Sequence, residues 1–146
     1  MKSGFQTDLD ARLKCSNDAV WIVHSPLKYY SEMLNCLITV PTWFETHTET
    51  EKEDEPLWFE TDFASVPRVP IVYDIWGNRA HREAVLHDYL YRIDSIPVVS
   101  YSQANNIFKE AMISTGKPWR IYFFMWLGVV FGGWTSYHKR RVKDKL

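Results

Sequence analysis

His87 and Asp88 stand side by side in the run Ala80-His81-Arg82-Glu83-Ala84-Val85-Leu86-His87-Asp88-Tyr89-Leu90-Tyr91, an otherwise apolar stretch with helical spacing. Desolvating an imidazole and a carboxylate is costly unless each finds a partner. Such a pair therefore anchors a polar network or performs chemistry. About twenty residues upstream lies a second polar cluster, Thr61-Asp62-Phe63-Ala64-Ser65-Val66-Pro67-Arg68. On a helix, His87 and Asp88 point about 100° apart and cannot form a dyad with each other. The catalytic reading takes His87, Asp88 and Asp62 as the site: Asp62 orients the imidazole, or all three converge on a water or on a metal held through Asp88. A Ser65–His87–Asp62 triad lacks the Gly-x-Ser-x-Gly elbow that would present the serine. The competing reading is a buried histidine bonded to a carboxylate, locking helix to sheet. In either case His87 is expected to be buried and bonded to the 61–68 segment, with Asp62 the favoured partner. Asp88 is expected to pair with Arg92 or Arg68. No cofactor is specified by these residues.

The elements that must position the pair follow from periodicity and capping. Ala19–Val23 and Cys36–Val40 are short β-branched runs bounded by Asn17-Asp18, Pro26 and Pro41, and read as strands. Trp43-Phe44-Glu45-Thr46 recurs as Trp58-Phe59-Glu60-Thr61. Two similar strands joined by a polar connection suit an extended hairpin. Asn78 is placed to cap a helix over 79–92 with Ala80, Ala84, His87 and Tyr91 on one face. Ser102 is placed to cap a second helix over 103–115, with Gly116 as its stop. Pro118 opens a last element ending near Tyr137. The expected fold is a single α+β domain over residues 1–146, an N-terminal antiparallel sheet with three C-terminal helices packed on it.

Charge and composition exclude some functions. The 146 residues carry a net charge of −1, which excludes a nucleic-acid footprint for the chain as a whole. The charge is unevenly placed. Residues 45–55 hold six acids against Lys52, and 138–146 hold five bases against Asp144. We expect the first run to be a mobile hairpin tip of little consequence for stability, and the second a basic tail. The start of the chain has no apolar h-region, so no signal peptide is expected. Cys15 and Cys36 then read as free buried thiols in a reducing compartment. Residues 121–137 are uncharged, but this stretch is glycine-diluted and at the lower limit for a bilayer span. We expect it to pack in the domain or against a partner, with its basic, aromatic flank suited to membrane-surface contact.

Thr61–Arg68, Ala84–Tyr91 and Ala104–Met112 together resemble a family of short uncharacterised proteins of tailed phages and prophages. The similarity runs from about Ile38 to Trp134, with the acidic stretch between the Trp-Phe-Glu-Thr copies as an insertion and Asn105 where an acid is expected. The resemblance implies a phage-encoded accessory protein, such as a tail or virion component. Such a protein works through contacts with phage or host proteins, or at the host envelope, in the host cytoplasm or the virion. His87, Asp88 and Tyr91 also reproduce the His-Asp-x-x-Tyr helix of calcium-dependent phospholipases, which implies a hydrolase. In those enzymes an aspartate on a later helix steadies the histidine. By position Asn105 stands there in this chain, and Gly77 alone represents the glycine-rich calcium loop.

Overall fold

The computed structural model describes residues 1–14, 17–44, 57, 58, 60, 61, 80–92 and 94–137. Among these, eight short strands precede the helices: β1 (Gly4–Phe5), β2 (Ala11–Lys14), β3 (Asn17–Val23), β4 (Leu27–Ser31), β5 (Cys36–Val40), β6 (Trp43–Phe44), β7 (Leu57–Trp58) and β8 (Glu60–Thr61). They form antiparallel sheets ordered β1-β4-β5, β2-β3-β8 and β6-β7. Three helices follow, α1 (His81–Leu90), α2 (Tyr101–Ser114) and α3 (Trp119–Gly132), with a single turn α4 (Trp134–Tyr137) at the end. This is the α+β arrangement predicted, an antiparallel N-terminal part followed by C-terminal helices.

The strands obey the local signals. Cys36–Val40 is a strand with the predicted bounds, paired with β4 from Leu27↔Val40 to Ser31↔Cys36. The turn between them ends on Asn35 at φ 50°, a conformation asparagine tolerates. The two Trp-Phe-Glu-Thr copies meet through their first residues, with Trp43 opposite Trp58 in an antiparallel pair, while Glu60 and Thr61 of the second copy pair with β3. The expected tip at 45–55 and the basic tail lie outside the described residues, as do Asp62, Ser65, Arg68 and Cys15. Cys36 is a free thiol, half-buried rather than fully enclosed.

The helix boundaries correct two capping expectations. α1 begins after Ala80, which contributes no side-chain cap. α2 starts two residues earlier than expected because Ser100, not Ser102, is its N-cap: its hydroxyl accepts from Gln103 N–H, and the Gln103 side chain accepts from Ser100 N–H. This reciprocal pair satisfies two otherwise orphaned donors. At the other end Gly116 takes φ 74°, with Gly116 N–H bonded to the Ile113 carbonyl and Lys117 N–H to that of Met112. That Schellman turn stops α2 and turns Thr115 and Lys117 back toward α1.

α1 is not amphipathic. Every residue from Glu83 to Leu90 is buried. Val85, Leu86, Tyr89 and Leu90 pack on Val23, Leu27, Tyr29, Ile38 and Val40 of the sheets. On the opposite side Ala80 and Ala84 join Phe108 and Met112 of α2 and Ile121, Met125 and Val129 of α3. The helix is thus the middle layer of a sheet–helix–helix stack. α2 is also tied to the sheet, since Glu110 accepts from the Tyr29 hydroxyl at 3.0 Å and from Met33 N–H at 3.1 Å.

Burial raises the pKa of Tyr29, Tyr89 and Tyr91, helped at Tyr29 by the charge of Glu110. A phenol held protonated in the fold keeps a proton that the unfolded chain releases near pH 10. Its stabilising contribution is therefore complete below pH 10 and lost as pH climbs above it. We expect the melting temperature to fall steeply above pH 10, with tyrosinate absorbance rising in the same step as loss of helical circular dichroism. Tyrosinate formation well before unfolding would contradict this.

Candidate functional site

Glu83 and His87 lie on the helix-facing side of α1, where α2 must satisfy them, whereas Arg82 turns to Asp8 at 3.7 Å and to the Phe5 ring of β1. Glu83, although 2 % exposed, accepts a hydrogen bond from the Thr115 hydroxyl and lies 3.4 Å from Lys117 Nζ. One turn on, His87 is fully buried. Its Nε2 is 2.9 Å from Asn105 Oδ1, and the Tyr91 hydroxyl reaches the same oxygen at 2.6 Å. A carbonyl oxygen can only accept. Both the imidazole Nε2–H and the phenol O–H therefore donate to Asn105, which fixes the Nε2–H tautomer and leaves the lone pair on Nδ1.

Aromatic packing holds this arrangement. The His87 ring lies 4.0 Å from that of Tyr91 and 4.8 Å from that of Phe108. Tyr91 in turn meets Tyr101 and Tyr137 at 5.8 and 5.3 Å. Tyr101 donates to the carbonyls of Val129 and Val130, and Tyr137 to that of Val99, so the outer rings are pinned to the α3 backbone and to the segment before α2. Burial first, then the neighbouring Tyr101, pushes the Tyr91 phenol well above its usual range, and Asp88 adds to the rise. The phenol therefore remains a donor to Asn105 at any ordinary pH. Gly133 closes the site, because a Cβ there would collide with the Tyr91 hydroxyl and the Val129 carbonyl. Only a glycine lets the chain pass so close.

Among the expected site residues, the structure brings His87 and Tyr91 to Asn105, whereas Asp62 lies outside the described residues. Asp88 is fully buried and engaged. Its expected partner Arg92 is bound to Asp94 through Nε at 2.9 Å and Nη2 at 3.1 Å. No group of three or more His, Cys, Asp or Glu side chains suited to a metal occurs among the described residues, so Asp88 there lacks companion ligands. A cavity of about 550 Å³ lies apart from this cluster, lined by Lys2, Glu32, Lys109 and Glu110 among others. Sequence reasoning missed Tyr101, Tyr137 and Gly133. It noted Asn105 only as a departure, although an amide among the apolar positions Ala104, Ile107 and Phe108 of a helix is itself a sign of a buried polar contact.

The family model for proteins of unknown function, DUF1353, matches residues 38–129. The chain belongs to this family. No curated protein and no solved structure matches it. In this DUF1353 member the matched region runs from β5 into α3 and contains His87, Asp88, Tyr91 and Asn105.

Asn105→Leu should leave two buried donors without an acceptor, costing about 1–3 kcal/mol for each. Urea unfolding of Asn105→Leu, Tyr91→Phe and the double variant checks this. The double variant should lose less than the sum of the singles, because Tyr91→Phe removes one of the orphaned donors. Strict additivity would show that the two side chains are not coupled through Asn105.

Proposed function

We propose that the chain is a hydrolase, a phage-encoded accessory enzyme of the host envelope, in which His87 is the general base and Asn105 its positioning residue. The observation that carries this reading is the shared Asn105 Oδ1, which takes hydrogen bonds from both Tyr91 and His87 Nε2. An imidazole held through one nitrogen by an acceptor, with the other left basic, is the arrangement of a general base. Asparagine is an adequate orienting residue, as in cysteine proteases, although it stabilises an imidazolium less than a carboxylate does. The His-Asp-x-x-Tyr likeness to calcium-dependent phospholipases supports an ester of lipid type as substrate, and Asn105 occupies the place of their steadying aspartate.

In the proposed reaction Nδ1 takes a proton from a water as its oxygen attacks the ester carbonyl. The proton then passes to the departing alkoxide, and an alcohol and a carboxylic acid are released. Because His87 is fully buried, turnover requires the packing around α1 to open toward the substrate. Asp88, adjacent to the base, is the residue proposed to act on the reacting group. It is also the proposed metal contact.

The test is fatty-acid release from phospholipid vesicles, with and without calcium, alongside thermal melts. His87→Gln keeps a donor for Asn105 but has no basic nitrogen. It should fold like the parent and lose turnover, as should Asp88→Asn. Asn105→Asp should raise the His87 pKa, followed by NMR, by roughly 1–3 units through the added charge, and shift the pH–rate profile in the same direction. No hydrolysis by the parent chain, or activity that only tracks folding across the variants, would make the cluster a structural lock and overturn the reading.

A further inference from the structure

α3 is apolar on both sides. Ile121, Met125 and Val129 face the core, with Tyr122 and Trp126 packed beside them. On the side away from the core, Phe124 is 54 % exposed, Phe131 78 % and Trp134, at the start of α4, 63 %. Phe123 is exposed as well, and Trp119 lies at the N-terminal end with the Arg120 guanidinium 5.8 Å from its ring. A helix apolar all round is normally buried all round, and soluble monomers seldom expose this many large aromatics together. The outer face requires an occupant.

Charge identifies one. From Ala111 to Lys143 the chain has no acid and six bases: Lys117, Arg120, Lys139, Arg140, Arg141 and Lys143. A second copy would bring the same excess of bases and no acid from this segment. An anionic surface complements them. Tryptophan and phenylalanine together with basic residues are also what settles a helix at a lipid headgroup boundary. Fourteen residues of helix span about 21 Å at 1.5 Å per residue, short of the hydrocarbon thickness. Among the described residues no helix is long and apolar enough to cross a membrane. The geometry points to α3 lying in the plane of an anionic phospholipid surface.

We propose that the outer face of α3 docks the protein on anionic membranes, with Phe123, Phe124, Phe131 and Trp134 entering the headgroup boundary and Arg120 meeting lipid phosphates. The inner face of the same helix packs on Ala80 and Ala84, the side of α1 that carries His87. Docking would therefore place α3 between the surface and the proposed base. The further claim that this lipid is the substrate rests on the hydrolase reading, while the docking claim does not.

Co-sedimentation of the full chain with phosphatidylcholine vesicles, with and without phosphatidylglycerol, tests the surface. Binding should require phosphatidylglycerol, weaken with salt, and move tryptophan emission to shorter wavelength. Phe124→Ser/Phe131→Ser, on exposed positions, should melt like the parent and bind about tenfold or more weakly. Arg120→Glu should weaken binding to anionic vesicles specifically. His87→Gln should bind like the parent. Binding without hydrolysis would end the catalytic reading and leave the surface standing; hydrolysis of a soluble ester without vesicle binding would do the reverse. Absence of vesicle binding, or a parent dimer that the double variant makes monomeric, would overturn the proposal.

Discussion

The burial of α1 on both sides is the constraint from which most of this structure follows. A helix placed between a sheet and two other helices has no face left for water. Any polar residue on it must find its partner within the protein, because an unsatisfied buried donor or carboxylate costs as much as several good contacts return. This chain places those residues on the helix-facing side at Glu83, His87 and Tyr91, about one turn apart. α2 answers with Thr115 and Lys117 for the first and with Asn105 for the other two. The capping box that starts α2 and the Schellman turn that ends it are therefore more than local punctuation. They fix the length and register of the helix that supplies the partners.

The apolar contacts and the polar ones impose different conditions. The sheet-facing side of α1 is aliphatic and aromatic, and exchanges of similar volume there would preserve the fold. The helix-facing side is specified by hydrogen-bond geometry. Its alanines let α2 approach closely, and Gly133 lets the end of α3 close over Tyr91. Sliding α1 against α2 by one residue would separate Asn105 from both donors at once. The polar cluster thus selects one packing among several that would bury similar apolar area.

Much of this was readable in the residues. β-branched runs between prolines located β5 to the residue, and helical spacing with Gly116 located α1 and α2 within about two residues. Ser100 was legible too, since Ser100-x-x-Gln103 is a capping-box pattern, but Ser102 lies nearer the apolar repeat and drew the assignment. What periodicity could not show was that both sides of α1 are covered. His81, Arg82, Glu83, His87 and Asp88 make the helix look half solvated, and only tertiary packing reveals that Glu83, His87 and Asp88 are buried. Asn105 was hidden for a related reason. Reasoning from charge looks for a carboxylate and passes over a neutral amide oxygen, which Asn105 offers to His87 Nε2 from eighteen residues away.

The Glu110 clamp has a consequence for how the chain is made. It joins Tyr29 and Met33 to a residue about eighty positions later, and residues of α1 and α2 share one core with those of β4 and β5. During synthesis the strands leave the ribosome first, carrying Leu27, Tyr29, Ile38 and Val40 before the helices that pack on them. Their apolar face stays uncovered until the second helix has emerged, so the nascent N-terminal half is the stage at which this protein is most open to aggregation and most dependent on chaperones.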